Sequence, residues 1–193
     1  MSPIHADVLA RRDQLARDFR DAEPFRHVAI DGFLDPAFCR ALLDEFPRFE
    51  DRYALNETGA VGGKAVRMDV REISDTYRAL DRSIQAPEFL DLVSRITGIP
   101  DLLYDPDYIG GGTHENVQGQ GLDPHVDFNY HPGTRWHRRL NLIVYLNPEW
   151  DEAWGGALEL QSGISYADAL KQVQRLKQTS KVSQSSKKSR PVS

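Results

Sequence analysis

The sequence predicts one α+β domain in which helices come first and strands follow. Helical periodicity dominates residues 6–99, and short β-like segments separated by turn residues begin at residue 100. The chain has 193 residues, of which 40% are hydrophobic, so it is long enough to bury a substantial core. Because helices precede strands and no internal repeat is present, we expect helices packed on an antiparallel sheet.

The N-terminal half is predicted to be mainly helical. The predicted elements are a charge-rich surface helix over 6–22, a short strand over 26–33, a helix from Pro36 to before Pro47, an irregular Gly-rich loop over 51–66, and helices over 74–85 and 87–97. Asp35 supplies an N-cap and Pro36 a first helical residue, which is a typical start of a helix. Gly98 is a typical C-terminal stop for the last of these helices.

The second half is predicted to contain strands over 102–109, 122–130, 137–147 and 156–161. In the third of these, alternate positions are apolar and should pack against helices: Leu140, Leu142, Val144 and Leu146. The opposite face carries Arg139, Asn141 and Tyr145. A polar inner face suits a small barrel that holds an anionic ligand, and an ordinary half-exposed strand is the alternative.

The composition excludes several classes of protein. Cys39 is the single cysteine, so an internal disulfide or a cysteine-based zinc cluster cannot form. Early charged residues leave no apolar core for a signal peptide, and no apolar run reaches membrane-spanning length. We therefore expect a cytoplasmic protein with no membrane partner.

A change in composition near residue 162 predicts a boundary. Residues 163–193 contain seven basic residues and one acidic residue, although the whole chain has a net charge of −5. Ser165 to Asp168 resembles a capping box that opens a helix to about Gln178, and the Ser- and Lys-rich residues 179–193 should be disordered. We therefore divide the chain into a domain over 1–162 (helical 1–99, β-rich 100–162) and a basic tail over 163–193. A basic tail is one feature of nucleic-acid binding. Because no aromatic residues are interleaved with the basic ones here, a tail that is simply exposed to solvent is favoured.

The main candidates for chemistry are His125 and Asp127. Residues two apart on a strand point to the same face, so both side chains can reach one metal ion. An imidazole and a carboxylate are two of the three ligands in a 2-His-1-carboxylate Fe(II) centre. An isolated His-x-Asp pair is weak support, since a hydrogen-bonded histidine beside a surface aspartate has the same pattern.

The surrounding sequence resembles the core of the 2-oxoglutarate- and Fe(II)-dependent dioxygenases, and is most similar to the prolyl-4-hydroxylase-like branch. The resemblance covers about residues 100–161 and rests on the His-x-Asp, the strand ending in Tyr-Leu-Asn, an acidic Trp-containing turn and Gly-Gly-x-Leu-x-Leu. It implies a double-stranded β-helix (jelly-roll) fold for residues 100–162. The implied reaction uses O2 and 2-oxoglutarate, gives succinate and CO2, and hydroxylates a C–H bond of a small molecule or a protein side chain.

The resemblance also implies roles for individual residues. His125 and Asp127 would bind Fe(II), and Tyr145 would donate a hydrogen bond to the distal carboxylate of 2-oxoglutarate. Tyr108 would line the pocket, and Arg139 and Asn141 lie on the cosubstrate-binding face without individual roles.

The pattern breaks where the second histidine ligand is expected, because no histidine follows His137. The basic residue that would pair with the cosubstrate is missing with it. We expect impaired metal and cosubstrate binding, and we interpret 163–193 as the product of a frameshift, an alternative transcript or a truncated gene. His131 and His137 are not expected to replace the missing ligand.

A catalytically inactive remnant that acts as a binding module is the alternative function, and a metal hydrolase is weaker because no general base is apparent. The sequence leaves the substrate and the oligomeric state open.

Overall fold

The protein is described here by a computed structural model, which covers residues 3–55, 59–118 and 127–160. The α-helices of these residues are α1 (Ala6–Ala10), α2 (Arg12–Asp21), α3 (Pro36–Asp44), α4 (Asp75–Ile84) and α5 (Pro87–Thr97). Short 3-10 helices cover Asp51–Tyr53, Val70–Glu72 and Glu152–Trp154. The strands of the described residues are β1 (Lys64–Arg67) and β2 (Thr113–Asn116). Mixed helices and a small antiparallel sheet confirm the α+β class.

Side-chain caps fix the helix ends that the sequence predicts. The Asp35 carboxylate accepts hydrogen bonds from the backbone N–H groups of Ala37 and Phe38, at 3.0 and 3.1 Å. These bonds satisfy two of the free N–H groups at the start of α3. At the other end of the helical region, Gly98 closes α5 with a left-handed φ of 68°. The predicted helix over 6–22 is present but divides at Arg11 into α1 and α2.

Two apolar clusters form the core. The first joins α1, α2 and α5 through Val8, Leu15, Phe19, Leu92 and Ile96. The second contains Leu34, Leu42, Val70 and Tyr77. The buried Tyr77 hydroxyl donates a hydrogen bond to the Leu42 carbonyl at 3.0 Å, so its polar group is satisfied inside the core.

β1 and β2 pair in antiparallel register, with Lys64 opposite Asn116 and Arg67 opposite Thr113. Gly112 precedes β2 at a φ of 99°, and a Cβ atom there would lie 2.1 Å from the Arg67 carbonyl oxygen. Glycine is therefore required for the close approach of the two strands. The predicted loop over 51–66 is only partly correct, since it includes a 3-10 helix and the start of β1.

The predicted strands are wrong within the described residues. No strand occurs at 26–33, 102–109, 127–130, 137–147 or 156–160, and within these segments only one isolated bridge forms, between Tyr130 and His137. Alternating polarity favours an extended backbone, but a strand also needs a neighbour to complete its hydrogen bonds. None of these segments has a neighbouring strand in the described part of the chain. The double-stranded β-helix is accordingly not seen there.

The apolar face predicted for residues 140–146 does pack on the helical core. Leu140 contacts the first cluster, and Val144 and Leu146 contact the second. Leu142 departs from the pattern, since it is 49% exposed. This segment therefore joins the two clusters without belonging to a sheet.

Several predictions concern residues outside the described ranges. They are the placement of His125, the helix from Ser165 to about Gln178, and the disorder of 179–193. Among the residues that are described, no helix is long and apolar enough to cross a membrane.

Candidate functional site

Asp127, the predicted carboxylate ligand, lies at the centre of a polar network. Its Oδ2 atom accepts a hydrogen bond from the Asn141 side-chain amide at 2.9 Å. The Arg138 Nη2 atom lies 3.2 Å from the same oxygen. The Asp127 side chain is 41% exposed, so solvent and small ions can reach the network. The structure thus brings together two predicted site residues, Asp127 and Asn141.

Arg138 is the residue of this network that the sequence did not predict. Its Nε and Nη2 atoms donate hydrogen bonds to the Asn141 Oδ1 atom at 2.9 and 2.7 Å. On a regular strand, residues three apart face opposite sides, so the strand pattern placed Arg138 away from Asn141. The backbone here is not a strand, and the two side chains meet. The signal in the sequence that could have pointed to Arg138 is its position beside Arg139, in a pair of basic residues.

The chemistry of Asp127 fits a divalent metal ion. Its carboxylate is ionisable, accessible and oriented by the neutral amide of Asn141, and hydrogen-bonded carboxylates are typical metal ligands. His125 would add the imidazole ligand, but it lies outside the described residues. Asp127 is therefore the one predicted ligand whose surroundings are known.

Tyr108 takes part in a second, more deeply buried network. Its hydroxyl donates a hydrogen bond at 3.0 Å to the Oδ1 atom of Asp81, which is 2% exposed. The Tyr104 hydroxyl donates to the same oxygen, and the Gln85 amide donates to Asp81 Oδ2 at 2.9 Å. Burial raises the pKa of Tyr108 to about 12, so its hydroxyl remains a proton donor at neutral pH. The predicted pocket residue is thus engaged with a buried carboxylate.

Arg139 and Tyr145, the remaining predicted cosubstrate residues, are both on the surface. Tyr145 is 62% exposed, and Arg139 is exposed as well. Their side chains are accessible to a ligand, and their roles stay predictions.

A further group of candidate metal ligands consists of Asp105, Asp107 and His131. Each offers one ligand atom, and these atoms lie within 4.8 Å of one another. The His131 Nε2 atom is 3.5 Å from Asp105 Oδ1 and 3.9 Å from Asp107 Oδ2. The His131 side chain is 9% exposed, and its Nε2 atom is buried without a hydrogen-bond partner. This group was not predicted, because His131 is distant in the sequence from Asp105 and Asp107 and meets them only in the folded chain.

The hydrogen bonds of His131 limit what this group can bind. Its Nδ1 atom accepts hydrogen bonds from the backbone N–H groups of Gly133 and Thr134 at 3.1 and 3.0 Å. With Nδ1 acting as an acceptor, the neutral ring carries its proton on Nε2, which faces the two carboxylates. A metal ion would have to displace that proton. The group is therefore arranged as an N–H donor that faces two carboxylate acceptors. Its side chains, one imidazole and two carboxylates, are nevertheless of the types that bind metal ions.

The two histidines nearest the His-x-Asp motif have other contacts. His131 opens the turn just described, and His137 stacks on the Tyr130 ring with centroids 5.1 Å apart.

Comparison with known protein families supports the resemblance. Residues 112–189 match the family model described as the 2OG-Fe(II) oxygenase superfamily. The match includes His125, Asp127, Arg138 and Asn141, and it extends past residue 162 into the predicted tail. None of the curated proteins and none of the solved structures matches the chain. The match supports the predicted resemblance to this superfamily, whereas the prolyl-4-hydroxylase-like branch stays a prediction.

Proposed function

We propose that this chain is an Fe(II)- and 2-oxoglutarate-dependent oxygenase that hydroxylates a C–H bond of a small molecule or a protein side chain. His125 and Asp127 would hold the metal. Bound Fe(II), 2-oxoglutarate and O2 would supply the oxidising chemistry, with succinate and CO2 as the products of the cosubstrate.

The observation that carries this proposal is the oriented carboxylate of Asp127 inside the matched segment. Asn141 directs one carboxylate oxygen through a 2.9 Å hydrogen bond. A ligand held by such a partner loses less conformational freedom when a metal binds. The two aspartates that His131 faces are less suitable, because the imidazole presents a proton to them.

The finer assignments are part of the same proposal. Tyr145 and Arg139, which are exposed, would bind the anionic cosubstrate, and Asn141 would act by orienting Asp127. Tyr108 would line the pocket either with its hydroxyl, after the hydrogen bond to Asp81 has broken, or with the edge of its aromatic ring. We also propose that residues 100–162 form part of a jelly roll, that the domain boundary lies near residue 162, and that the protein is cytoplasmic.

The alternative is a catalytically inactive domain that acts as a binding module. The observation in its favour is the sequence after His137, which contains no histidine to complete the iron site. With two protein ligands, metal affinity should be well below that of a three-ligand site.

Succinate formation separates the two functions. The full chain is incubated with Fe(II), 2-oxoglutarate and O2, and succinate is measured for the wild type, His125→Ala and Asp127→Asn. The oxygenase should form succinate, and both variants should abolish it. His27→Ala is the matched control, since His27 is an exposed histidine that is hydrogen-bonded to the Phe25 carbonyl. This variant should retain the wild-type rate. Absence of succinate with the wild type would favour the inactive binding module.

A further inference from the structure

Arg138 lies next to Asp127, the carboxylate that would bind the metal ion. The distance of 3.2 Å between its Nη2 atom and Asp127 Oδ2 is that of an ion pair. The same oxygen accepts the Asn141 amide, so a neutral donor and a positive charge share one carboxylate oxygen. A divalent metal ion at Asp127 would add a second positive charge to that carboxylate.

The position of Arg138 is fixed by several independent contacts. Two of its nitrogen atoms donate to Asn141, and its guanidinium carbon lies 4.6 Å from the centroid of the Phe128 ring. Its backbone N–H donates to the Asn129 carbonyl at 2.8 Å. The Arg138 side chain is 23% exposed, which makes it the more buried partner of the ion pair. The guanidinium cannot move away from Asp127 without losing its contacts with Asn141 and the Phe128 ring.

We propose that Arg138 is a positioning residue that holds the Asp127 carboxylate in the metal-free protein and competes with the metal ion for it. The inference rests on the proposed function, because it takes Asp127 as a metal ligand. Asn141 and Arg138 then have opposite effects on metal binding. The neutral amide orients the carboxylate at no electrostatic cost, whereas the guanidinium repels the incoming cation.

The test is the affinity of the full chain for Mn(II), measured by calorimetry without cosubstrate. Arg138→Gln should bind Mn(II) about tenfold more tightly than the wild type at low ionic strength, because one positive charge near the ion is removed. The gain should shrink in 0.5 M NaCl, where charges are screened over about 4 Å. A purely structural role of Arg138 would not depend on salt in this way.

Two further variants control for charge and for folding. Arg135→Gln makes the same change in net charge three residues away, where Arg135 lies over the Tyr130 ring, and it should leave the affinity within about twofold of the wild type. Arg138→Lys keeps the charge and should stay within about threefold of the wild type. If Arg138→Gln does not fold, a tenfold gain in Arg138→Lys would overturn the proposal. An unchanged or weaker affinity in a folded Arg138→Gln would overturn it as well.

The outcome for the wild type separates this inference from the proposed function. If the wild type binds Mn(II) and Arg138→Gln gains nothing, only the inference about Arg138 fails. If no variant binds Mn(II), the proposed metal site fails, and the competition fails with it. A double-mutant cycle of Asp127→Asn and Arg138→Gln then decides whether Arg138 holds Asp127. A coupling of about threefold in the unfolding equilibrium constant supports the hold, and no coupling refutes it.

Discussion

Replacing Tyr108 by phenylalanine tests whether this tyrosine stabilises the fold through Asp81. The substitution removes only a hydroxyl, and with it the 3.0 Å hydrogen bond to a carboxylate that is 2% exposed. Hydrogen bonds to charged groups contribute about 1.5–3 kcal/mol. Because Tyr104 and Gln85 still donate to Asp81, we expect the lower limit, a loss of about 1.5 kcal/mol.

The assay is urea unfolding of the wild type and the variant, followed by circular dichroism. For a slope of about 2 kcal/mol/M, the midpoint should fall by about 0.7 M. Asp81→Ala should cost more, about 3 kcal/mol, since it leaves several buried donors without an acceptor. Tyr130→Phe is the matched control, because Tyr130 is 54% exposed and should change the stability by less than about 0.5 kcal/mol. A Tyr108→Phe variant as stable as this control would refute the stabilising role of the Asp81 network.

Three further predictions concern the fold. Asp35→Ala removes the N-cap of α3 and should cost about 1 kcal/mol in urea unfolding, whereas Asp35→Asn should recover most of it. Gly112→Ala should cost about 3 kcal/mol, because its Cβ would lie 2.1 Å from a backbone oxygen, whereas Gly98→Ala has open space and should cost about 1 kcal/mol. An equal cost for the two glycine variants would contradict this close approach. Burial raises the pKa of Tyr77, Tyr104 and Tyr108, the last to about 12, so the folded protein keeps protons that the unfolded chain releases near pH 10. Stability should therefore fall as the pH rises from about 10 to 12, and Tyr108→Phe should make this fall shallower.

The helices could be predicted because their signals are local. Asp35, Pro36 and Gly98 act on the turns next to them, and the structure uses each of them as the sequence indicates. The strands could not be predicted in the same way, because a strand depends on a partner that is distant in sequence. Residues 140–146 show the difference, since their alternating pattern predicts which side chains contact the core but not whether the backbone joins a sheet.

In the candidate site, too, local patterns could be predicted and contacts between distant residues could not. Asp127 was predicted from the His-x-Asp motif and Asn141 from the polar face of its segment, and the structure joins them by a hydrogen bond. Arg138 was missed because the alternation of a regular strand would place it on the face opposite Asn141. The cluster of Asp105, Asp107 and His131 was also missed, because it depends on two separate turns that come together in space.

The proposed oxygenase function requires that Asp127 belongs to a metal site that binds 2-oxoglutarate. Calorimetric titration of 2-oxoglutarate into the full chain, with and without saturating Mn(II) and in the absence of O2, tests it most directly. Binding of 2-oxoglutarate should require Mn(II), and Asp127→Asn should abolish it. Binding of equal strength without metal, or no binding with the metal bound, would contradict it.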